Sequence, residues 1–425
     1  MRLVVHDYAG HPFQIQLSRE LARRGHEVLH LHFSQLRTPK GAVARRESDP
    51  ATFEIEGLAL DGPYEKYSLI KRRFQDRSYG RIAAERIVRY RPDVVISGNT
   101  PLDAQRELVE ACRKHDIGFV FWLQDAYGLL IEKILAKKLP LIGVVAGKYY
   151  RRLEHKLIRS SDAVVCISED IAPLVRESRV EPERIHVVEN WAPLDEITPL
   201  DADNLWTREH ALAGKKVVLY SGTLGLKHNP VLLLQLALRL RRRDDTAIVV
   251  VSEGLGADWL RREKTEHGLE NLVLLPFQPY HRMSEVLASA SVLVTILEAA
   301  VGVFSVPSKV LSYLCAGRAL VLAVPPANLA AKIVARAGAG LAGASDDAEG
   351  FVSHVERLLT DERLRTRLAN AARGYALEAF NIDSIADRFE RIVESASRSR
   401  AQPQPTRGRW PGRREFPSSP IAKEI

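Results

Sequence analysis

Residues 215–240 read KKVVLYSGTLGLKHNPVLLLQLALRL, and their reading decides the fold. An apolar run from Val217 to Tyr220 enters a turn with Gly222 and Gly225, and a leucine-rich stretch with helical spacing follows. Strand, tight turn and helix in that order form one βα unit of a parallel sheet. The unit recurs downstream at AIVVVSEG (247–254), LVLLPF (272–277), SVLVTIL (291–297) and ALVLAV (319–324). Such continuous apolar runs mark parallel strands covered on both faces.

Upstream the same alternation has already occurred once. Strands are expected at 2–8, 27–33, 93–98, 119–125, 163–169 and 185–190, with amphipathic helices such as 13–26, closed by Gly25, and 102–115 between them. A Pro- and Asp-rich stretch, WAPLDEITPLDADN (191–204), separates the two series. A chain of 425 residues is too long for one ordinary core, and its 46% apolar content is ample for two. The reading is two doubly wound α/β domains, 1–191 and 192–381. An amphipathic helix at 382–396 must pack on something, and 397–425 is an Arg/Pro-rich tail expected to be disordered.

The formal charge of +8 is unevenly placed: the tail holds seven Lys/Arg against two Glu, and residues 1–190 hold 31 basic against 26 acidic. That distribution disfavours a nucleic-acid surface on the second domain. Two stretches of the first half, 71–91 and 132–159, each carry eight basic and two acidic residues. The second surrounds LPLIGVVAG, too short to span a bilayer; either it lies at an anionic membrane surface or it is a buried loop flanked by a solvated basic face. Cys112, Cys166 and Cys315 have no metal or redox spacing and read as reduced core thiols. MRLVVHDY reads as a first strand rather than a signal peptide, so a cytoplasmic protein is expected.

Ligands of open parallel sheets bind beyond the carboxyl ends of the strands, and four such ends in the second domain suit an anion or a nucleotide. GTLGLK offers Gly222, Thr223 and Lys227, as a phosphate site or a plain tight turn; it has the spacing of neither GxxxxGK[ST] nor GxGxxG. SEG offers Glu253 and Gly254, for a ligand hydroxyl or a helix cap. PFQP offers Phe277 and Gln278, for a nucleobase or simply for core and turn. PSK, just before LSYLCAG, offers Pro307, Ser308 and Lys309 at the mouth of a helix, where a hydroxyl and a cation suit an oxyanion or only a solvated cap. Their convergence on one rim outweighs each motif alone. By contrast, Asp201–Asp203 lie in the linker after no strand, and His30 and His32 share a strand face with no third ligand nearby, so no metal site is assigned. No GxSxG, HExxH or paired CxxC occurs.

The order GTLGLK, SEG, PFQP and VPSKVLSYLCAGRAL, with VVEN closing the first half, resembles the retaining GT-B glycosyltransferases of family 4, over residues 1 to about 396. Within them it is most similar to bacterial enzymes of O-antigen, colanic acid and related envelope polysaccharides. The resemblance implies two Rossmann-like domains flanking a cleft, with the last helix returning to the first domain. It implies a nucleotide-sugar donor on the second domain: Gly222, Thr223 and Lys227 near the diphosphate, Phe277 and Gln278 near the base, Pro307, Ser308 and Lys309 at the distal phosphate. No cofactor or metal is implied, because cationic side chains stabilise the departing diphosphate. The acceptor would meet Gly10, His11, Asn99, Gln124 and Asp125 of the first domain. Where the family often has two glutamates eight residues apart, this chain has Phe304 and Ser312; Glu298 is the carboxylate placed to replace the first, and Glu253 or Ser312 is left to hold the ribose. Thr223 stands where an arginine often precedes the first-loop lysine. Catalysis would fall to Lys227 and Lys309, with Glu298 and Asp125 as site carboxylates. The implied function is transfer of a sugar, with retention, to a lipid-linked glycan acceptor at the inner face of the membrane; the alternatives are a GT-B sugar-nucleotide epimerase or a catalytically degenerate partner in a polysaccharide assembly complex.

Overall fold

The structure, a computed structural model, describes residues 1–36, 41, 43–65, 68–129, 131–132, 142–225, 228–299 and 307–401. Two all-parallel sheets organise the chain. In the first, β1 (Arg2–Asp7), β2 (Glu27–Phe33), β3 (Phe53–Leu58), β4 (Val94–Gly98), β5 (Gly118–Leu123), β6 (Ala163–Cys166) and β7 (Ile185–Val187) lie in the order β3-β2-β1-β4-β5-β6-β7. In the second, β8 (Lys216–Ser221), β9 (Thr246–Val251), β10 (Leu272–Leu275), β11 (Val292–Ile296), β12 (Ala319–Ala323) and β13 (Gly340–Gly343) lie in the order β10-β9-β8-β11-β12-β13. Both are doubly wound, and each reverses direction beside its first strand, between β1 and β4 and between β8 and β11.

β3 and β13 have no counterpart in the sequence reading. Both are edge strands with incomplete burial: FEIEGL places Glu54 and Glu56 among its apolar positions, and GLAG has no β-branched residue. Neither therefore shows the continuous apolar run that identified the central strands.

The first core is aromatic where the chain's ends meet. Trp122 of β5 stacks on Trp191, with ring centroids 5.8 Å apart, and Phe13 meets the edges of both. The helix Ile382–Ala401 lies over this group through Phe389. It continues to Ala401, five residues into the stretch read as tail, because Ser397–Arg400 contain no helix breaker and the first proline is Pro403. Arg24 anchors its solvent side, paired with Asp387 at 2.5 Å and Glu390 at 2.8 Å. Residues 402–425 lie outside the described residues.

The carboxyl edges of the sheets face each other. Asp170, after β6, pairs with Lys332 at 2.7 Å, and Glu189, after β7, pairs with Arg336 at 2.6 Å; both cations belong to the helix Leu329–Ala337 that follows β12. Among the described residues no helix is long and apolar enough to cross a membrane.

Candidate active site

The second domain builds its side of the cleft at the point where its sheet reverses. β8 ends at Ser221, whose backbone N–H donates to the Tyr313 hydroxyl at 2.9 Å while that hydroxyl donates back to the Ser221 carbonyl at 3.1 Å. This pins the helix Lys309–Cys315, which carries Tyr313, against the end of the strand. The next residue, Gly222, has φ 132°, a conformation that side chains avoid. A Cβ there would lie 3.0 Å from Cε of Lys309 and 3.3 Å from its Nζ. The glycine is thus the space into which Lys309 reaches.

Lys309 is half-buried as a residue, but its Nζ is buried and has no hydrogen-bond acceptor among the described residues. Burial holds the amine well below the ordinary lysine range, and among the described residues no carboxylate opposes that effect. Among the described residues a favourable feature is the face of Tyr220, 3.6 Å from Nζ to the ring centroid. A buried cation without a partner is costly, and an arriving anion removes the cost.

The other donor-side residues take varied positions. Pro307 is buried and Ser308 exposed, its hydroxyl making no capping bond to the helix. Ser312 lies one turn beyond Lys309 and is half-buried. Thr223 is exposed, its carbonyl accepting from the Tyr220 hydroxyl at 2.9 Å. Glu253 is exposed and accepts from the Phe277 backbone N–H at 3.3 Å, while Gly254, with φ 108°, opens the helix Leu255–His267. Gly256 also has a required role, since a Cβ there would fall 2.7 Å from the Leu224 carbonyl, which accepts from the Gly256 N–H at 3.0 Å. Phe277 is half-buried. The amide of Gln278 is engaged within the protein, accepting from the Trp206 indole at 3.0 Å and donating to the Pro276 carbonyl at 3.0 Å. Glu298 is half-buried just after β11. Lys227 and Phe304 lie outside the described residues.

The first domain's loops after β1 and β4 occupy the matching reversal. Asp7 ends β1 and is fully buried. Burial works to raise its carboxyl, yet bonds from His11 outweigh this and hold it below the ordinary aspartate range. It accepts from the backbone N–H groups of Ala9, at 3.1 Å, and His11, and the His11 ring Nδ1 stands 3.8 Å away. The loop through Gly10, at φ 76°, is therefore braced from beneath by one carboxylate. His11 is half-buried. Asn99 has φ 55°, and its Nδ2 is buried with no hydrogen-bond partner among the described residues. Gln124 is buried and paired with Asn190, whose Nδ2 donates to it at 2.6 Å. Asp125 is half-buried at the start of the turn that leads to Gly128, where the Gly128 N–H donates to the buried Glu154 at 3.0 Å. Asp7, Glu154, Tyr220 and Gly256 were not singled out from sequence; an acidic residue ending a strand was the one available signal, at Asp7.

Among the described residues no three His, Cys, Asp or Glu side chains converge as a metal group. His30 is buried with Nδ1 2.8 Å from the Ser18 hydroxyl, and Asp203 pairs with Arg208 at 3.0 Å.

Two facing Rossmann-like domains, each built on an all-parallel doubly wound sheet, are the GT-B fold of glycosyltransferases. The chain belongs to the family-4 group of these proteins: residues 14–196 match the model described as Glycosyltransferase Family 4, and residues 204–375 that described as Glycosyl transferases group 1. It is 23% identical over 256 residues to a Pseudomonas aeruginosa protein named as the glycosyltransferase WbjE, covering 59% of this chain and 62% of that one. It is 23% identical over 241 residues to the Escherichia coli glycosyl transferase WcaI, named for colanic acid biosynthesis, covering 56% and 58%. The chain thus spans about six-tenths of the length of these relatives. Its fold is shared with Anabaena HepE, solved with UDP and glucose, at a TM-score of 0.68 and 14% identity, over 93% of this chain and 100% of that one.

Proposed function

We propose that the protein transfers a sugar, with retention, from a nucleotide-sugar donor to a lipid-linked glycan acceptor in the synthesis of a cell-envelope polysaccharide. The observation that carries this is the buried, unpartnered Lys309 amine in the space left by Gly222. A diphosphate leaving group is an anion of the charge this position lacks. As the bond from the anomeric carbon to the diphosphate oxygen breaks, Lys309 meets the charge that develops; cationic side chains, Lys227 with it, take the place of a metal ion. The acceptor oxygen bonds to the same face of that carbon, and its proton passes to the departing phosphate. Asp125, His11 and Asn99 orient the acceptor, and Glu298 and Glu253 take hydroxyls of the donor. The names of the colanic acid relative and of HepE with its UDP and glucose support the donor class and the setting.

We place the protein at the inner face of the membrane. Phe74, 68% exposed on the helix Leu69–Tyr90, and Val145, 71% exposed on the helix Ile142–Ser160, are flanked by cations, and Arg73 of the first helix lies over the Tyr149 ring of the second at 5.4 Å. Apolar side chains within a basic rim suit an anionic lipid surface. Part of LPLIGVVAG and Lys137 and Lys138 lie outside the described residues.

A panel of UDP-, GDP- and dTDP-sugars, screened by thermal shift and then for slow donor hydrolysis, tests the activity. Stabilisation by one nucleotide class and release of its sugar are expected, and no response to any donor would overturn the reading. For the surface, sedimentation with vesicles containing phosphatidylglycerol should fall when Lys71, Arg73, Lys148 and Arg152 are neutralised; unchanged sedimentation would reject it.

A further inference from the structure

We propose that Tyr220 is a positioning residue for this reaction: its ring face seats the Lys309 amine over Gly222, and its hydroxyl ties that seat to the carbonyl of Thr223. The inference rests on the reading of Lys309 as the anion-binding cation, and it explains how an amine with no acceptor keeps one place.

A lysine side chain has four rotatable bonds, and an ammonium with no acceptor would ordinarily turn toward water. Here Nζ is buried and stands 3.6 Å from the centroid of the Tyr220 ring, within the range of a cation–π contact. The ring's negative face offsets part of the desolvation that burial imposes, and it leaves the amine's remaining N–H groups for an arriving anion. A carboxylate at this position would also hold the lysine, but it would have to be displaced by the diphosphate. An aromatic seat stays in place when the anion arrives.

The seat itself is fixed. Tyr220 is fully buried near the end of β8, and its hydroxyl donates to the Thr223 carbonyl at 2.9 Å across the Gly222 turn. Among the described residues the titratable groups around it, besides Lys309, are Tyr313, from the lysine's own helix, and His228, whose ring centroid is 6.2 Å from that of Tyr220. Turn, ring and amine are therefore in direct contact, and a change in the ring's electron density is felt at Nζ.

That last point supplies a test that a purely structural role would not pass. Tyr220→Phe keeps the ring and loses the Thr223 tie, so UDP affinity should fall, but only about two- to threefold; an unchanged affinity would remove the hydroxyl from the role and leave it to the ring. Replacing that phenylalanine by analogues carrying one, two and three fluorines weakens the ring face with little change in shape. UDP affinity at pH 7.5 should fall stepwise, by about tenfold in all, and the pH above which UDP binding is half lost should fall in step. Melting without UDP, measured for every variant, separates lost binding from lost folding. Affinity and midpoint that stay constant along the fluorine series, while Lys309→Ala loses UDP binding, would overturn the role of Tyr220 alone. Lys309→Ala that binds UDP like the unmodified protein would overturn the reading beneath it.

Discussion

Phe389 stands 4.7 Å, centroid to centroid, from Trp122, although 267 positions separate them in the chain. The contact makes the helix Ile382–Ala401 part of the first domain's core, so the chain crosses to the second domain and returns. Phe389 is fully buried, and its removal leaves a cavity beside two tryptophans. Phe389→Ala should therefore destabilise the first domain by about 3–5 kcal/mol, lowering its melting temperature by roughly 10 °C. A calorimetric scan that shows a shift of only about 1 °C would mean the helix does not clamp this core.

Lys309 should trade stability against activity. Its buried amine costs the empty protein free energy, so Lys309→Met should melt at or above the temperature of the original, while turnover falls by about 100- to 1000-fold. The sign of the pH effect follows from the same burial. The amine's proton affinity is depressed in the empty site and restored when an anion arrives, so UDP binding takes up a proton and weakens as pH rises. Calorimetry in buffers of different ionisation enthalpy checks this: a binding heat independent of the buffer, in the alkaline range where the site empties, would contradict it.

The fold was legible because its central strands are buried on both faces and so are written as uninterrupted apolar runs; β3 and β13, at the edges, were not, because half of an edge strand's surroundings is water. The site was legible in part for a related reason. A glycine and a lysine beside a strand end are local signals, and Gly222 and Lys309 could be found from them. What Lys309 touches depends on Tyr220, 89 positions earlier, and no local pattern announces that contact. Gln278 shows the same limit from the other side. The sequence leaves its amide open to a base or to a turn, and no local pattern announces that the indole of Trp206, 72 positions away, donates to it.

Glu154 should set the pH dependence of stability near neutrality. Burial pushes its carboxyl up to about 7, against which the N–H groups of Gly128 and Tyr127 work in the other direction. Between the ordinary glutamate value and that raised value the folded state holds the proton more tightly than the unfolded state. Stability is thus lost as pH rises through this window, by about 3 kcal/mol, and levels off above it. Glu154→Gln keeps a carbonyl for the Gly128 N–H and has no charge to bury. Its melting temperature should change less between pH 5 and pH 8 than that of the original; parallel pH profiles would show that Glu154 does not carry the effect.

The two ion pairs between the domains, Lys332 with Asp170 and Arg336 with Glu189, sit one helical turn apart on one face of the cleft. Each is partly exposed and contributes at most about 1 kcal/mol, but two acting together can shift the balance between open and closed domains severalfold. Lys332→Glu with Arg336→Glu places four acidic groups together there and should open the molecule. Small-angle scattering at low salt should record a larger radius of gyration for that variant. Adding Asp170→Lys and Glu189→Lys restores opposite charges and should restore the compact value, a rescue that general loss of structure could not give. Added salt should narrow the difference between the double variant and the original, because exposed pairs are screened within about 10 Å at 0.1 M. Equal radii for all three proteins at low salt would show that these pairs do not hold the cleft closed.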